Sequence, residues 1–113
     1  MKVRIPNNGG MADMFRKAQQ VQEEMTAKQI ELEGREYEIS AGGGAVTVKI
    51  NGKREILDIR LSEEVIDPDD PETLTDILIA AVNEAIKKVD STQEAEMAKI
   101  SGQMNIPGMP GMF

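Results

Sequence analysis

Apolar residues along this chain change their spacing twice. Over "MADMFRKAQQVQEEMTAKQIELE", residues 11 to 33, Met11, Met14, Ala18, Val21, Met25 and Leu32 recur at three- and four-residue steps, with Lys28 breaking the seam. Neither Gly nor Pro interrupts the stretch, so it predicts a helix of about 23 residues, roughly 34 Å long. Its apolar stripe is narrow, closer to a coiled-coil seam than to the broad face of a helix lying on a sheet. After Gly34 the spacing becomes two. Tyr37 and Ile39 alternate with Glu36, Glu38 and Ser40; Val46, Val48 and Ile50 with Thr47 and Lys49; Leu57, Ile59 and Leu61 with Asp58 and Arg60. Three short strands follow, each with one apolar face.

Helical spacing then returns. Leu74, Ile77, Leu78, Ala81, Val82, Ala85, Ile86 and Val89 form a wide stripe, continued more weakly by Met97, Ile100 and Met104. Asp70 is placed to cap this second helix, Pro71 to open it, and Glu72 and Asp76 to put negative charge near the positive end of its dipole. The organisation expected is a flexible leader over residues 1–10, a single α-β-β-β-α domain over 11–102, and a Pro/Gly/Met tail, "NIPGMPGMF" at its end, over 103–113. The fold class is α+β, a long helix, a three-stranded antiparallel meander and a second long helix. A three-stranded sheet with strands of about six residues measures roughly 20 Å along the strands. Helices of roughly 34 and 45 Å overhang it. Their projecting stripes call for a partner, most simply a second copy, giving an intertwined homodimer with projecting helices. Interface candidates are Met14, Val21, Met25, Leu57, Ile59, Ile86 and Val89.

Two glycine-bearing turns punctuate the sheet. Asn51-Gly52 is a hairpin signal, because both residues tolerate positive φ. Gly42, Gly43 and Gly44 separate the first two strands. A phosphate cradle needs glycines that lead into a helix, with Lys and Ser or Thr behind them. These lead into a strand, so they read as a backbone device, a bend with close strand packing.

Composition narrows the chemistry. The 113 residues contain no Cys and no His, which removes thiolate nucleophiles, disulfides and imidazole bases and argues against a metal or cofactor site. The serines have no base to activate them, and "DPDDPE" at residues 67–72 lacks the glycine and spacing of a calcium loop, so no enzyme is expected. No stretch approaches the roughly 18–20 apolar residues of a membrane span, and "MKVRIPNNGG" lacks the apolar segment of a signal peptide; a cytoplasmic protein is expected.

Charge is distributed unevenly. The net −7 divides into +1 over residues 1–35, 0 over 36–62 and −8 over 63–113. An acidic chain argues against nucleic-acid binding, where affinity comes mainly from Lys and Arg neutralising phosphates. Yet Lys17, Lys28 and Arg35 fall close to one face of the first helix with Arg16 beside them, and Lys87, Lys88 and Lys99 form a strip on the second. Glu24 before Lys28 and Glu31 before Arg35 allow a plain reading as salt-bridged surface.

In order along the chain, "FRKAQQVQEEM", "SAGGGAVTVKINGKREILDIRL", "DPDDPETLTDILIAAVNEAIKKV" and "MNIPGMPGMF" resemble the YbaB/EbfC family of bacterial nucleoid-associated proteins, from Met11 to the C-terminus. The glycine run feeding "AVTVKINGK" and the "LIAAVNEAIKK" segment carry most of the resemblance. It implies tight, tweezers-shaped dimers of helix, three-strand, helix chains, located in the cytoplasm on the nucleoid and binding double-stranded DNA. Phosphate contacts from the projecting helices would supply the affinity, with a role in gene expression or nucleoid organisation. Arg16, Lys17, Lys28 and Arg35 are the first candidate contacts, with Lys87, Lys88 and Lys99 second. The competing expectation is a protein-interaction adaptor, whose acidic second helix and Met-rich tail engage a replication or recombinational repair protein.

Overall fold

The computed structural model describes residues 5–102, with side chains from Gly10 onward; the tail expected at 103–113 lies outside the described residues. The order is helix α1 (Ile5–Glu33), strands β1 (Glu36–Ala41), β2 (Val46–Asn51) and β3 (Ile56–Leu61), a single 3₁₀ turn at Glu63–Val65, and helix α2 (Pro71–Ser101). The strands form an antiparallel sheet in the order β1-β2-β3, the expected meander.

The described chain gathers into two compact units, so the stretch 11–102 is divided between them. One holds Glu31–Glu94, with the whole sheet; the other holds α1 up to Ile30 and α2 from Ala95.

Helix α1 begins at Ile5, earlier than the Met11 start and inside the stretch expected as leader. Pro6 falls in the first turn, where a missing N–H costs nothing, and each of Gly9 and Gly10 costs only about 1 kcal/mol in a long helix. The helix closes at Gly34, whose N–H donates to the Glu31 carbonyl at 3.2 Å, while the Arg35 N–H donates to that of Leu32 at 3.1 Å. Helix α2 starts where the sequence places it. The Asp70 carboxylate accepts from the Thr73 N–H at 3.4 Å and from the Thr73 hydroxyl at 2.6 Å, with Pro71 in the first helical position.

In the sheet unit, Val46, Val48 and Ile50 are fully buried against Ala81, Ala85 and Val89 of α2, with Tyr37, Ile39, Ala41, Leu74, Ile77, Leu78, Val82 and Ile86 packed around them. The alanines let the helix approach closely. Register puts Ile39, Val48 and Ile59 in one row and Ala41, Val46 and Leu61 in the next, so this face is apolar across all three strands. The opposite face is polar. Lys49 pairs with Glu36 at 3.4 Å, Arg60 with Glu38 at 3.0 Å and Asp58 at 3.4 Å, and the Ser40 and Thr47 hydroxyls lie 3.0 Å apart. Between Lys49 and Ile50 the β2–β3 register shifts, leaving Leu57 as the extra residue of a bulge in edge strand β3.

The two turns solve different problems. Gly42, Gly43 and Gly44 all have positive φ, at 64°, 68° and 93°, and a Cβ at Gly43 or Gly44 would meet nothing within 4 Å. Backbone conformation, not close strand packing, demands them; only at Gly42 would a Cβ press on a neighbour, with Ile77 carbons at 3.0 Å. The Asn51-Gly52 signal marks the hairpin correctly, but the residue with positive φ is Arg54, at 64°. Asn51 holds this turn together: its carbonyl accepts from the Arg54 N–H at 3.0 Å, and its side-chain oxygen accepts from the N–H groups of Lys53 at 2.8 Å and Glu55 at 3.0 Å. Gly52 is needed for space, since a Cβ there would overlap the Leu32 carbonyl and lie 2.8 Å from Glu33 Cα.

Candidate nucleic-acid interface

The cations proposed from sequence divide between the two units. Arg16, Lys17, Lys28 and Lys99 belong to the helical unit, and Arg35, Lys87 and Lys88 to the sheet unit. Each is on a helix except Arg35, which follows α1, and most carry a carboxylate partner.

In the helical unit, Arg16 is exposed and donates to Asp13 Oδ1, one turn earlier, at 3.1 Å. Lys17 beside it is exposed and has no ion-pair partner among the described residues. Lys28 and Lys99 are brought together from different helices by one acid. Glu96 Oε1 lies 3.4 Å from Lys28 Nζ, and Glu96 Oε2 lies 3.0 Å from Lys99 Nζ. The Lys99 ammonium first, and the Lys28 ammonium second, hold the Glu96 carboxyl below the usual carboxylate range, so it stays ionised to lower pH than an ordinary glutamate. Val21 and Ile100, one on each helix, are the buried apolar residues of this unit among the described residues, while Met25 is half-buried.

In the sheet unit, Arg35 grips Glu31 with both arms of the guanidinium, at 2.5 and 3.1 Å. This is the i,i+4 pair foreseen from the sequence, and its bidentate geometry occupies one edge of the Arg35 guanidinium. Lys87 is exposed and only loosely paired, 3.8 Å from Glu84. Lys88 is exposed and has no ion-pair partner among the described residues.

Of the described cations not signalled by the helix pattern, Lys49, Arg54 and Arg60 are in ion pairs and Lys53 is not. Lys53 lies exposed in the β2–β3 turn without an ion-pair partner among the described residues; the Asn51-Gly52 signal that marks the turn also puts Lys53 in it. Its neighbour Arg54 is committed elsewhere. The Arg54 guanidinium donates to Asp90 Oδ1 of α2, through Nε at 2.7 Å and also through Nη2, and reaches Gln93 Oε1 at 3.4 Å. Gln93 in turn donates to the Gly52 carbonyl at 2.8 Å, so the hairpin is pinned to α2.

The apolar candidates separate as clearly. Val89 is fully buried in the core of the sheet unit, and Val21 is 6% exposed in the helical unit. Ile86 is half-buried against the same core. Met14 of α1 is exposed, as are Leu57 and Ile59 of β3 at 44% and 41%.

No described helix is long and apolar enough to cross a membrane, and no group of three or more acidic residues among the described residues is arranged to hold a metal ion. The described helices carry a set of exposed and paired cations suited to electrostatic contact.

Known proteins point the same way. A nucleoid-associated protein of Clostridium novyi is 50% identical over 108 residues, covering 93% of this chain and 95% of that one. Nucleoid-associated proteins of Alkaliphilus oremlandii, 48% identical over 107 residues and covering 93% and 94%, and of Alkaliphilus metalliredigens, 45% identical over 108 residues and covering 93% and 95%, are similar along the same length. A crystal structure of an uncharacterized Helicobacter pylori protein shares the fold, with a TM-score of 0.57 at 22% identity over 69% of this chain and 90% of that one. The sequence model of a DNA-binding family, not a family of enzymes, matches residues 8–104. With that match spanning most of its length, the chain belongs to the YbaB/EbfC DNA-binding family.

Proposed function

We propose that the protein is a nucleoid-associated homodimer that binds duplex DNA chiefly through its phosphates, with Lys17 and Lys88 leading. The observation that carries the choice of surface is that these two lysines, alone among the seven cations singled out from the sequence, are exposed without an ion-pair partner among the described residues. They can meet phosphate without first giving up a carboxylate. Arg16 and Lys87 follow, since exposed pairs one turn apart are worth only tenths of a kcal/mol and exchange readily, and Lys99, whose partner Glu96 is shared with Lys28, comes after them.

The dimer rests on β3. It is an edge strand whose Ile56, Leu57, Ile59 and Leu61 are all exposed in the single chain, at 38–44%. Such an edge invites pairing with another chain, and a second copy presents the same apolar strip. Dimerisation brings two sets of helix cations to one duplex and also doubles the net charge of −7 per chain, so the affinity is modest and steeply salt-dependent. A nucleoid location in the cytoplasm goes with this reading, as does a part in gene expression or nucleoid organisation. A second reading, an adaptor for a replication or recombination protein, is favoured by the wholly exposed acidic stretch from Asp67 to Glu72.

Titration of a mixed-sequence duplex with the purified full-length protein across a salt series tests the proposal. Binding at low salt should fall steeply with added salt, and Lys17→Glu with Lys88→Glu should flatten the slope by roughly one for each lysine that touched a phosphate. Unchanged binding by the double variant rejects these contacts. No binding by the parent at low salt rejects the DNA reading in favour of the adaptor.

A further inference from the structure

Glu96 occupies an unusual position among the charges of the helical unit. It pairs with both Lys28, on α1, and Lys99, on α2, and its side chain is only 17% exposed whereas that of Lys99 is 71% exposed. A carboxylate held by two ammonium groups presents the geometry and charge that a phosphate oxygen pair would present to the same lysines. We infer that Glu96 is an internal competitor for DNA, a positioning residue that keeps Lys28 and Lys99 poised on its carboxylate until a backbone phosphate displaces it. The inference rests on the DNA-binding reading above.

Two physical consequences follow. While Glu96 is ionised, any phosphate that approaches Lys28 must replace an existing pair and also sit near a carboxylate, so part of the gain in charge attraction is cancelled. The same carboxylate aligns two cations from separate helices, so they are available together once it yields. Affinity is thereby held down in the free protein without removing the cations that create it.

The test is the Glu96→Gln variant of the full-length protein, which keeps the side chain's shape and removes its charge. In a titration against a mixed-sequence duplex, E96Q should bind about 2- to 5-fold more tightly than the parent, the effect of one partly exposed ion pair that no longer has to be broken. Its plot of log K against log salt should steepen by roughly one for each lysine that gains a phosphate. The coupling is read by adding Lys28→Gln to both backgrounds: it should cost more affinity in E96Q than in the parent. Equal cost in the two backgrounds, or E96Q binding no tighter with an unchanged slope, overturns the inference. Should E96Q fail to fold by circular dichroism, Glu96→Asp decides, because it keeps the charge but shortens its reach: tighter binding than the parent supports the competitor role, and equal or weaker binding overturns it. If the parent itself does not bind DNA at low salt, the functional reading fails and takes this inference with it, whereas parent binding with an indifferent E96Q rejects the Glu96 role alone.

Discussion

Strands β2 and β3 lie side by side, have six residues each, and carry apolar residues on the same face of one sheet, yet their burial is opposite. In β2 the residues Val46, Val48 and Ile50 are completely buried; in β3 every residue is exposed, Ile59 and Leu61 included. Local sequence does not distinguish them. Position does: β2 is central, so α2 sets Ala81, Ala85 and Val89 on it, and β3 is at the edge, with a bulge at Leu57. Alternation reports which face of a strand is apolar, and how far α2 reaches across the sheet decides whether that face is covered, as it is at β2 and in part at β1.

The sharpest way to break this contrast is one acidic substitution in each strand. Val48→Asp puts a charge without a partner where there is no exposed surface at all, and should cost about 4 kcal/mol or more, enough to unfold a domain of this size in a chemical denaturation series. Leu57→Glu with Ile59→Glu should leave the secondary structure of the protomer in place, because both side chains are already hydrated. Its effect should appear in sedimentation, as a shift from dimer to monomer mass. If Ile59 and Val48 proved equally destructive to folding, β3 would belong to an internal core; if the double variant stayed dimeric, the partner surface would lie elsewhere.

The same distinction governs how much of the molecule could be read from its sequence. Elements defined by near neighbours were legible: three strands by their alternation, the start of α2 by Asp70 and Pro71, the Glu31–Arg35 pair by its spacing. The first turn of α1 was not, because Pro6, Gly9 and Gly10 signal a loop in isolation and are tolerated when a long helix continues through them. The state of Lys28 was also hidden. Sequence spacing points to Glu24 within α1, whereas the approach of Glu96, far along the chain on α2, to 3.4 Å is invisible to spacing. Candidate contacts could thus be named by charge, while their ranking depended on tertiary pairing that no local window contains.

The two turns flanking β2 sharpen the lesson with the smallest expected effect. The Gly42–Gly44 turn needs left-handed backbone and has open space at Gly43, whereas the β2–β3 turn takes its positive φ from Arg54, tied to Asp90, and spends its glycine at Gly52 on close approach to Leu32. Gly43→Ala should therefore cost only the backbone penalty, about 1–2 kcal/mol in a thermal or denaturant melt. Gly43→Asn should recover part of that loss, since Asn enters the left-handed region more easily than Ala although it is larger. Steric crowding would reverse the order, making Asn the worse of the two. An Asn variant more stable than the Ala variant would show that Gly43 is fixed by φ, not by contact with anything around it.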